Sequence, residues 1–214
     1  MTWFLTHLGQ LGALLVTHAV LAVVPLLILL VLALPLGWLA QRQRWLRAPL
    51  VAGTGLLYTI PSLALFVLMP LVLGTGILDP LNVVIALSVY TVALLVRTVA
   101  DALASVPDEV VQAATAMGVG PVRRFFTVEL PLAVPVISAG LRVAAVSNVS
   151  VVSVAALLGI AQLGSLFTDG FARDFLDPIV VGILACMVLA LALDLVILAA
   201  GRVLTPWLQR GRAA

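Results

Sequence analysis

Four charged residues sit where a charge is expensive to keep. Arg97, Asp101, Arg142 and Asp194 all fall inside long runs of Val, Leu, Ile and Ala, and a charge held at membrane depth needs a partner or a wet cavity. Arg97 and Asp101 are four residues apart, the spacing that sets two side chains beside each other on one helix face, so an ion pair is expected. Arg142 and Asp194 lie in different runs, about 10 and about 9 residues from the arginine-bearing ends; at about 1.5 Å per residue both are roughly 15 Å deep and form a candidate pair. Both pairs are read as holding a bundle together, with gating or transport as the open alternative.

Neutral polar residues interrupt two of the same runs. Tyr58, Thr59, Pro61 and Ser62 form a kinked polar turn, and Ser147, Asn148, Ser150 and Ser153 give another run a hydroxyl-rich middle. A solute route is sought where polar or irregular helix faces meet near the bilayer centre, and Asn148 is the first candidate. Hydrogen bonding between helices through small polar residues is the competing reading. His7 and His18 are too few and too distant for a catalytic or metal constellation and are read as interfacial side chains. The single cysteine, Cys186, excludes an internal disulfide and any Cys-based metal cluster, and reads as a small packed residue. No GxxxxGK[ST] stretch is present, so the chain is read as no enzyme, binding no nucleotide itself; its glycines read as helix packing.

The elements that carry these residues follow from composition. The chain has 214 residues, 64% hydrophobic and 9% charged, with mean hydropathy +1.28. Soluble domains carry about a quarter charged residues, so this is an integral membrane protein. A crossing helix needs about 20 mostly apolar residues. Five stretches qualify, near 18–40, 50–73, 80–104, 132–158 and 178–203, giving an all-α polytopic bundle in one domain over 1–214. Kinks are expected at Pro25, Pro35, Pro61, Pro70 and Pro135, where neighbouring helices can re-satisfy freed backbone groups. The first run follows a stretch without Lys or Arg and precedes "QRQRWLR", the polarity of a retained helix rather than a cleaved signal. With five spans, Arg42, Arg44, Arg47, Arg123, Arg124, Arg202, Arg210 and Arg212 share one side, and Arg173 faces Asp79, Asp169, Asp174 and Asp177 on the other. Positive charge stays cytoplasmic, which puts the N-terminus outside and the C-terminus inside. Trp38, Trp45 and Trp207 mark the inner interface and Trp3 the outer.

That orientation places 105–131 in the cytoplasm. Ser105 begins a helix with Asp108 in capping-box spacing, Pro107 in its first turn and Asp108 with Glu109 complementing the helix dipole. Val110, Ala114 and Met117 then form a small apolar stripe, Gly118 closes the helix in a left-handed conformation, and "GVGP" turns the chain into a second short helix near Val122. Pro131 marks entry to the fourth span. Two readings are open on physical grounds: insertion into a groove on another protein, or a loop lying on lipid headgroups with Arg123 and Arg124 at phosphates.

The run "QAATAMG", nine residues, then "VELP" resembles the cytoplasmic loop of bacterial ABC importer permeases, whose pattern is EAA, three residues, Gly, nine residues, then I-x-L-P. Ala113, Ala114, Gly118, Val128, Leu130 and Pro131 stand in register, and Gln112 replaces the acidic residue. The segments "YTIPSLALFVL", "YTVALLVRTVADAL", "ELPLAVPVISAGLRVA" and "LGSLFTDGF" resemble the branch that imports glycine betaine, carnitine, choline and related compatible solutes. The resemblance implies the type I importer transmembrane fold, in which this loop is a coupling helix that docks in a cleft of an ATPase subunit. Gln112, Ala113, Ala114, Met117, Gly118, Arg123 and Pro131 are the implied coupling residues. It implies a bacterial inner-membrane location, a second permease chain (identical or paralogous), an ATPase dimer carrying ATP and Mg, and an extracytoplasmic binding protein. No cofactor is implied in this chain. With two tyrosines, the chain hardly offers an aromatic cage for a quaternary ammonium, so selectivity is assigned to the binding protein. The alternatives are an importer for another small solute such as an amino acid, an ion-gradient transporter, which usually shows a repeated half absent here, and a non-transporting scaffold.

Overall fold

The computed structural model describes residues 6–57 and 59–207. Trp3, Tyr58, Arg210 and Arg212 lie outside the described residues. The chain is helical throughout: α1 (Leu8–Arg42), α2 (Arg44–Leu57), α3 (Ser62–Leu73), α4 (Pro80–Ala104), α5 (Asp108–Ala116), α6 (Pro121–Arg124), a π-turn (Phe125–Glu129), α7 (Leu130–Val154), a 3-10 turn (Ala155–Leu158), α8 (Ser165–Ala172) and α9 (Leu176–Leu204). Among the described residues, four continuous helices are long and apolar enough to cross a membrane: α1, α4, the run Pro121–Leu158 and α9.

The third of the expected five spans, 80–104, coincides with α4, and the second departs most. The stretch 50–73 is two helices of 14 and 12 residues rather than one, each about 20 Å long and short of a bilayer alone. Pro61 enforces the break, because it has no N–H to give and biases the residue before it away from helix. The freed Ile60 carbonyl accepts a hydrogen bond from the Tyr90 hydroxyl of α4, and the Thr59 hydroxyl donates to the Leu56 carbonyl at 2.7 Å. An interruption at this depth is tolerated because protein groups meet its backbone.

Helix α4 forms the centre. Asp79 caps it, accepting from the Leu81 N–H at 2.9 Å, with Pro80 in the first turn. Its Val83, Ala86, Leu87, Leu95, Val96, Val99 and Leu103 are fully buried against α1, α2, α3 and α7. Two apolar clusters result. One joins Leu14, Leu21, Phe66, Val83, Leu87, Val152 and Leu163; the other joins Leu29, Ala33, Leu95, Val99, Leu103, Phe125, Ala133 and Ile137. Small residues let the backbones approach: a Cβ added at Gly140 of α7 would stand 2.2 Å from the Thr98 methyl of α4. Helix α9 instead shows most of its surface, with Met187, Val188, Leu191 and Val196 each more than half exposed. Such a face needs lipid or another chain against it.

Three expectations about local structure are corrected. Ser105 does not start a helix: its N–H bonds to the Asp101 and Ala102 carbonyls and its hydroxyl to Ala102, so it ends α4, and Pro107 takes the N-cap position of α5. Asp108 and Glu109 do fall in the first turn of α5. The second helix does begin next to Val122, at Pro121, but it is not a separate short element: it continues through the π-turn into α7. Finally, α1 begins ten residues earlier than the apolar run suggests, at Leu8, which places His18 inside the bundle rather than at an interface.

Candidate functional site

Residues 105–120 build a protruding lever. Helix α5 ends in two reciprocal bonds, Gly118 N–H to Thr115 carbonyl at 2.9 Å and Val119 N–H to Ala114 carbonyl at 3.1 Å. This is the Schellman arrangement, and it requires the left-handed φ of +78° that Gly118 adopts. Of the expected stripe only Ala114 faces inward, at 2% exposure; Val110 is 38% and Met117 76% exposed. Gln112, Ala113, Gly118 and Arg123 are exposed too, while Pro131 is half-buried at the start of α7. The outward surface is therefore mixed, with Val110, Ala113, Ala116 and Met117 beside Asp108, Glu109, Gln112 and Thr115, and it is continued by Val122 and Phe126 at 61% and 60% exposure. Large apolar side chains exposed at a loop tip, Met117, Val122 and Phe126, suit insertion into a cleft on another protein.

The root of the lever is packed and charged. Phe125 is buried, with ring centroids 5.5 Å from Trp38 of α1 and 4.9 Å from Phe126. The Arg42 guanidinium stands 5.3 Å over the Trp38 ring. Arg124 donates from Nε to Glu129 Oε1 at 2.6 Å and from Nη1 to the Thr115 hydroxyl. Sequence reasoning passed over this trio, because Arg124 and Glu129 are five residues apart, which is no α-helical contact spacing.

Among the membrane-depth charges, the structure brings Arg142 and Asp194 together in a fork, Nε to Oδ1 at 2.6 Å and Nη2 to Oδ2 at 2.8 Å, joining α7 to α9. Paired planar contacts of this kind fix orientation as well as charge. Arg97 and Asp101 meet only at 3.7 Å with both side chains more than half exposed, so they are a surface pair that contributes little.

The candidate route residues lie on two elements. Thr59 and Pro61 are exposed at the break and Ser62 is half-buried beside them, whereas Ser147 and Asn148 belong to α7. Asn148 is 3% exposed and both ends of its amide are used: Oδ1 accepts from the Thr91 hydroxyl at 3.1 Å, and Nδ2 donates to the Ala22 carbonyl at 3.0 Å. It ties α1, α4 and α7 together within this chain. His18 lies nearby, fully buried; Nε2 donates to the Val149 carbonyl at 3.0 Å and Nδ1 pairs with the Gln162 side chain at 2.8 Å. Gln162 in turn accepts from the Gly164 N–H and donates to the Ser153 carbonyl at 3.2 Å. Burial of His18 and Gln162 was not legible, since a lone His in an apolar run and a Gln in a short connection carry no periodic signal. Among the described residues no three His, Cys, Asp or Glu side chains gather as metal ligands.

The two ends of the bundle differ in charge. Arg42, Arg123, Arg124 and Arg202 stand in the last turns of α1, α6 and α9 at the lever end, where Gln41 donates to the Leu103 carbonyl and Gly201 lies close to Ser138. At the opposite end, His7, Gln10, Asp169 and Arg173 line a shallow cavity of about 150 Å³ with Phe175 and Pro178.

Comparison with known proteins fits this shape. Residues 30–210 match the family described as binding-protein-dependent transport system inner membrane component. The chain is 35% identical to the osmoprotectant import permease protein OsmW of Salmonella typhimurium over 95% of its own length and 96% of the relative's. It is 30% identical to the glycine betaine/carnitine/choline transport system permease protein OpuCD of Bacillus subtilis, over 88% and 82% respectively. Its fold is similar to that of a chain from the MetNI methionine ABC transporter in an inward-facing conformation, with TM-score 0.83 over 94% of this chain and 98% of that one at 19% identity.

Proposed function

This chain belongs to the family of binding-protein-dependent transport system inner membrane components and is a multi-pass membrane permease, and on that premise we propose that it forms half of the passage of an ATP-driven importer for compatible solutes such as glycine betaine, carnitine or choline. The observation that carries the reading is the lever: an exposed nine-residue helix, closed by a left-handed glycine, whose outward surface none of the described residues covers.

The mechanism follows from how the lever is joined. Helix α6, the π-turn and α7 are continuous and α5 joins them through the Gly118–Gly120 turn, so a push on α5 is delivered to α7, and through the Arg142–Asp194 fork to α9. A separate ATPase dimer, closing on ATP and Mg, would supply the push; this chain would supply the transmission and, with a second permease chain, the walls. The arginine-rich lever end is read as cytoplasmic and the acidic end as external. The external end would receive the solute from a binding protein. The exposed face of α9 offers surface for the second permease chain or lipid.

The test is reconstitution with the ATPase and binding protein in liposomes and measurement of labelled glycine betaine, choline and carnitine uptake. Uptake that requires ATP is expected. Uptake that follows a proton or sodium gradient and ignores ATP would overturn the proposal, and ATP-driven uptake of amino acids alone would overturn the solute class.

A further inference from the structure

Glu129 is a carboxylate with 4% of its side chain exposed, at the point where the lever becomes a membrane helix. Removing a carboxylate from water is unfavourable unless a charged partner is held against it, and Arg124 Nε fills that place at 2.6 Å. In an α-helix, residues five apart point about 140° away from each other. Arg124 and Glu129 meet because the backbone between them is a π-turn, with the Leu130 N–H bonded to the Phe125 carbonyl five residues back. Pro131 supplies a reason for the wider turn: its ring would press on the carbonyl four residues earlier and it has no N–H to offer. Single π-turns inside α-helices are uncommon and gather at functional positions. The same guanidinium also donates through Nη1 to the Thr115 hydroxyl, on the last turn of α5. One side chain thus spans the lever tip, the π-turn and the root of α7.

We propose that Arg124, clamped between Thr115 and Glu129, is the positioning residue that makes the lever rigid against α7, so that ATPase motion reaches the passage instead of being absorbed in the π-turn. The clamp rests on the coupling role proposed above and adds to it a named strut. Phe125, wedged between Trp38 and Phe126, fixes the adjacent backbone by apolar packing, and Arg124 is the polar tie across the Gly118–Gly120 turn. Without the clamp, α5 can still enter its cleft, since its outward residues are untouched, yet its displacement is no longer matched by α7. The signature is ATP hydrolysis without transport.

The experiment uses the complete importer in liposomes, with ATP hydrolysis and labelled solute uptake read from the same vesicles. Wild-type uptake tests the proposed function itself, so failure there is separable from failure of the clamp. Glu129→Gln keeps the shape and removes the charge; Thr115→Val removes one exposed hydroxyl and cannot disturb the bundle. For E129Q, solute moved per ATP is expected to fall at least about tenfold, within the range over which residues along a coupled network act, with hydrolysis changed less than about twofold. For T115V a fall of about threefold is expected, as for one lost hydrogen bond. An unchanged ratio in T115V, or in E129Q where it assembles, overturns the proposal. So does a parallel fall of hydrolysis and uptake, which marks the trio as purely structural.

Discussion

Replacing Gly118 separates strain from collision in the lever. Its φ of +78° lies in the left-handed region, and a Cβ added there meets nothing within 4 Å. The cost of a side chain is therefore backbone strain alone, about 1–2 kcal/mol for an ordinary L-residue. That strain acts on a nine-residue helix packed on the bundle through Val111 and Ala114 and tied by the clamp at Thr115. A shift of about 1–2 kcal/mol changes a two-state ratio by roughly 5- to 30-fold, here the ratio of formed to frayed lever. Asn tolerates the left-handed region, Ala less so and Val least. ATP-dependent uptake should fall in the order Gly, Asn, Ala, Val, with Gly118→Val lowest by about tenfold or more and all four proteins equally abundant in the membrane. Transport by Gly118→Val at the wild-type rate, or a Gly118→Asn variant as poor as Gly118→Val, would refute the reasoning that the Schellman closure shapes the lever.

Three further outcomes follow from the packing. Gly140→Leu forces a side chain into Thr98 and should lower the detergent melting point through overpacking of about 1–3 kcal/mol, whereas Gly9→Ala, with open space around its Cβ, should leave it unchanged. Asn148→Leu gives up the bonds to Thr91 and Ala22, each worth about 0.6 kcal/mol between membrane helices, so thermal stability should drop modestly while solute preference holds. A changed preference at unchanged stability would instead put Asn148 on the route. Asp194→Asn leaves Arg142 without its fork and should reduce the amount of assembled protein, with partial recovery in the swapped pair Arg142→Asp with Asp194→Arg; no recovery would show that the site needs this orientation and not merely the pairing.

Legibility in the sequence tracked how local each feature is. The span at 80–104 stood out because its apolar run has the length a crossing helix needs. Gly118 was legible from the turn chemistry of "MGVG", and the Arg142–Asp194 pair from equal depth in two runs, since hydrocarbon penalises any unpaired charge. What escaped depends on contacts between elements. The break at Pro61 is stabilised by Tyr90 thirty residues on, so a span with a kink and two separate helices look alike in the string. Ser105 satisfied a capping pattern but was claimed by the helix before it. His18 was read as interfacial because its partners, Val149 and Gln162, are more than 130 residues away. The π-turn has no periodic signature at all, and with it the meeting of Arg124 and Glu129 was invisible.

The most direct test is the position of Met117 in the assembled particle. With Cys186 replaced by Ser, Met117→Cys is the sole thiol, 76% exposed in this chain at the outward edge of the lever. A membrane-impermeant maleimide should label it in inside-out vesicles but not in right-side-out ones, and addition of the ATPase subunit should block the labelling. Labelling from the exterior, or labelling from the cytoplasmic side that the ATPase leaves untouched, would contradict the account.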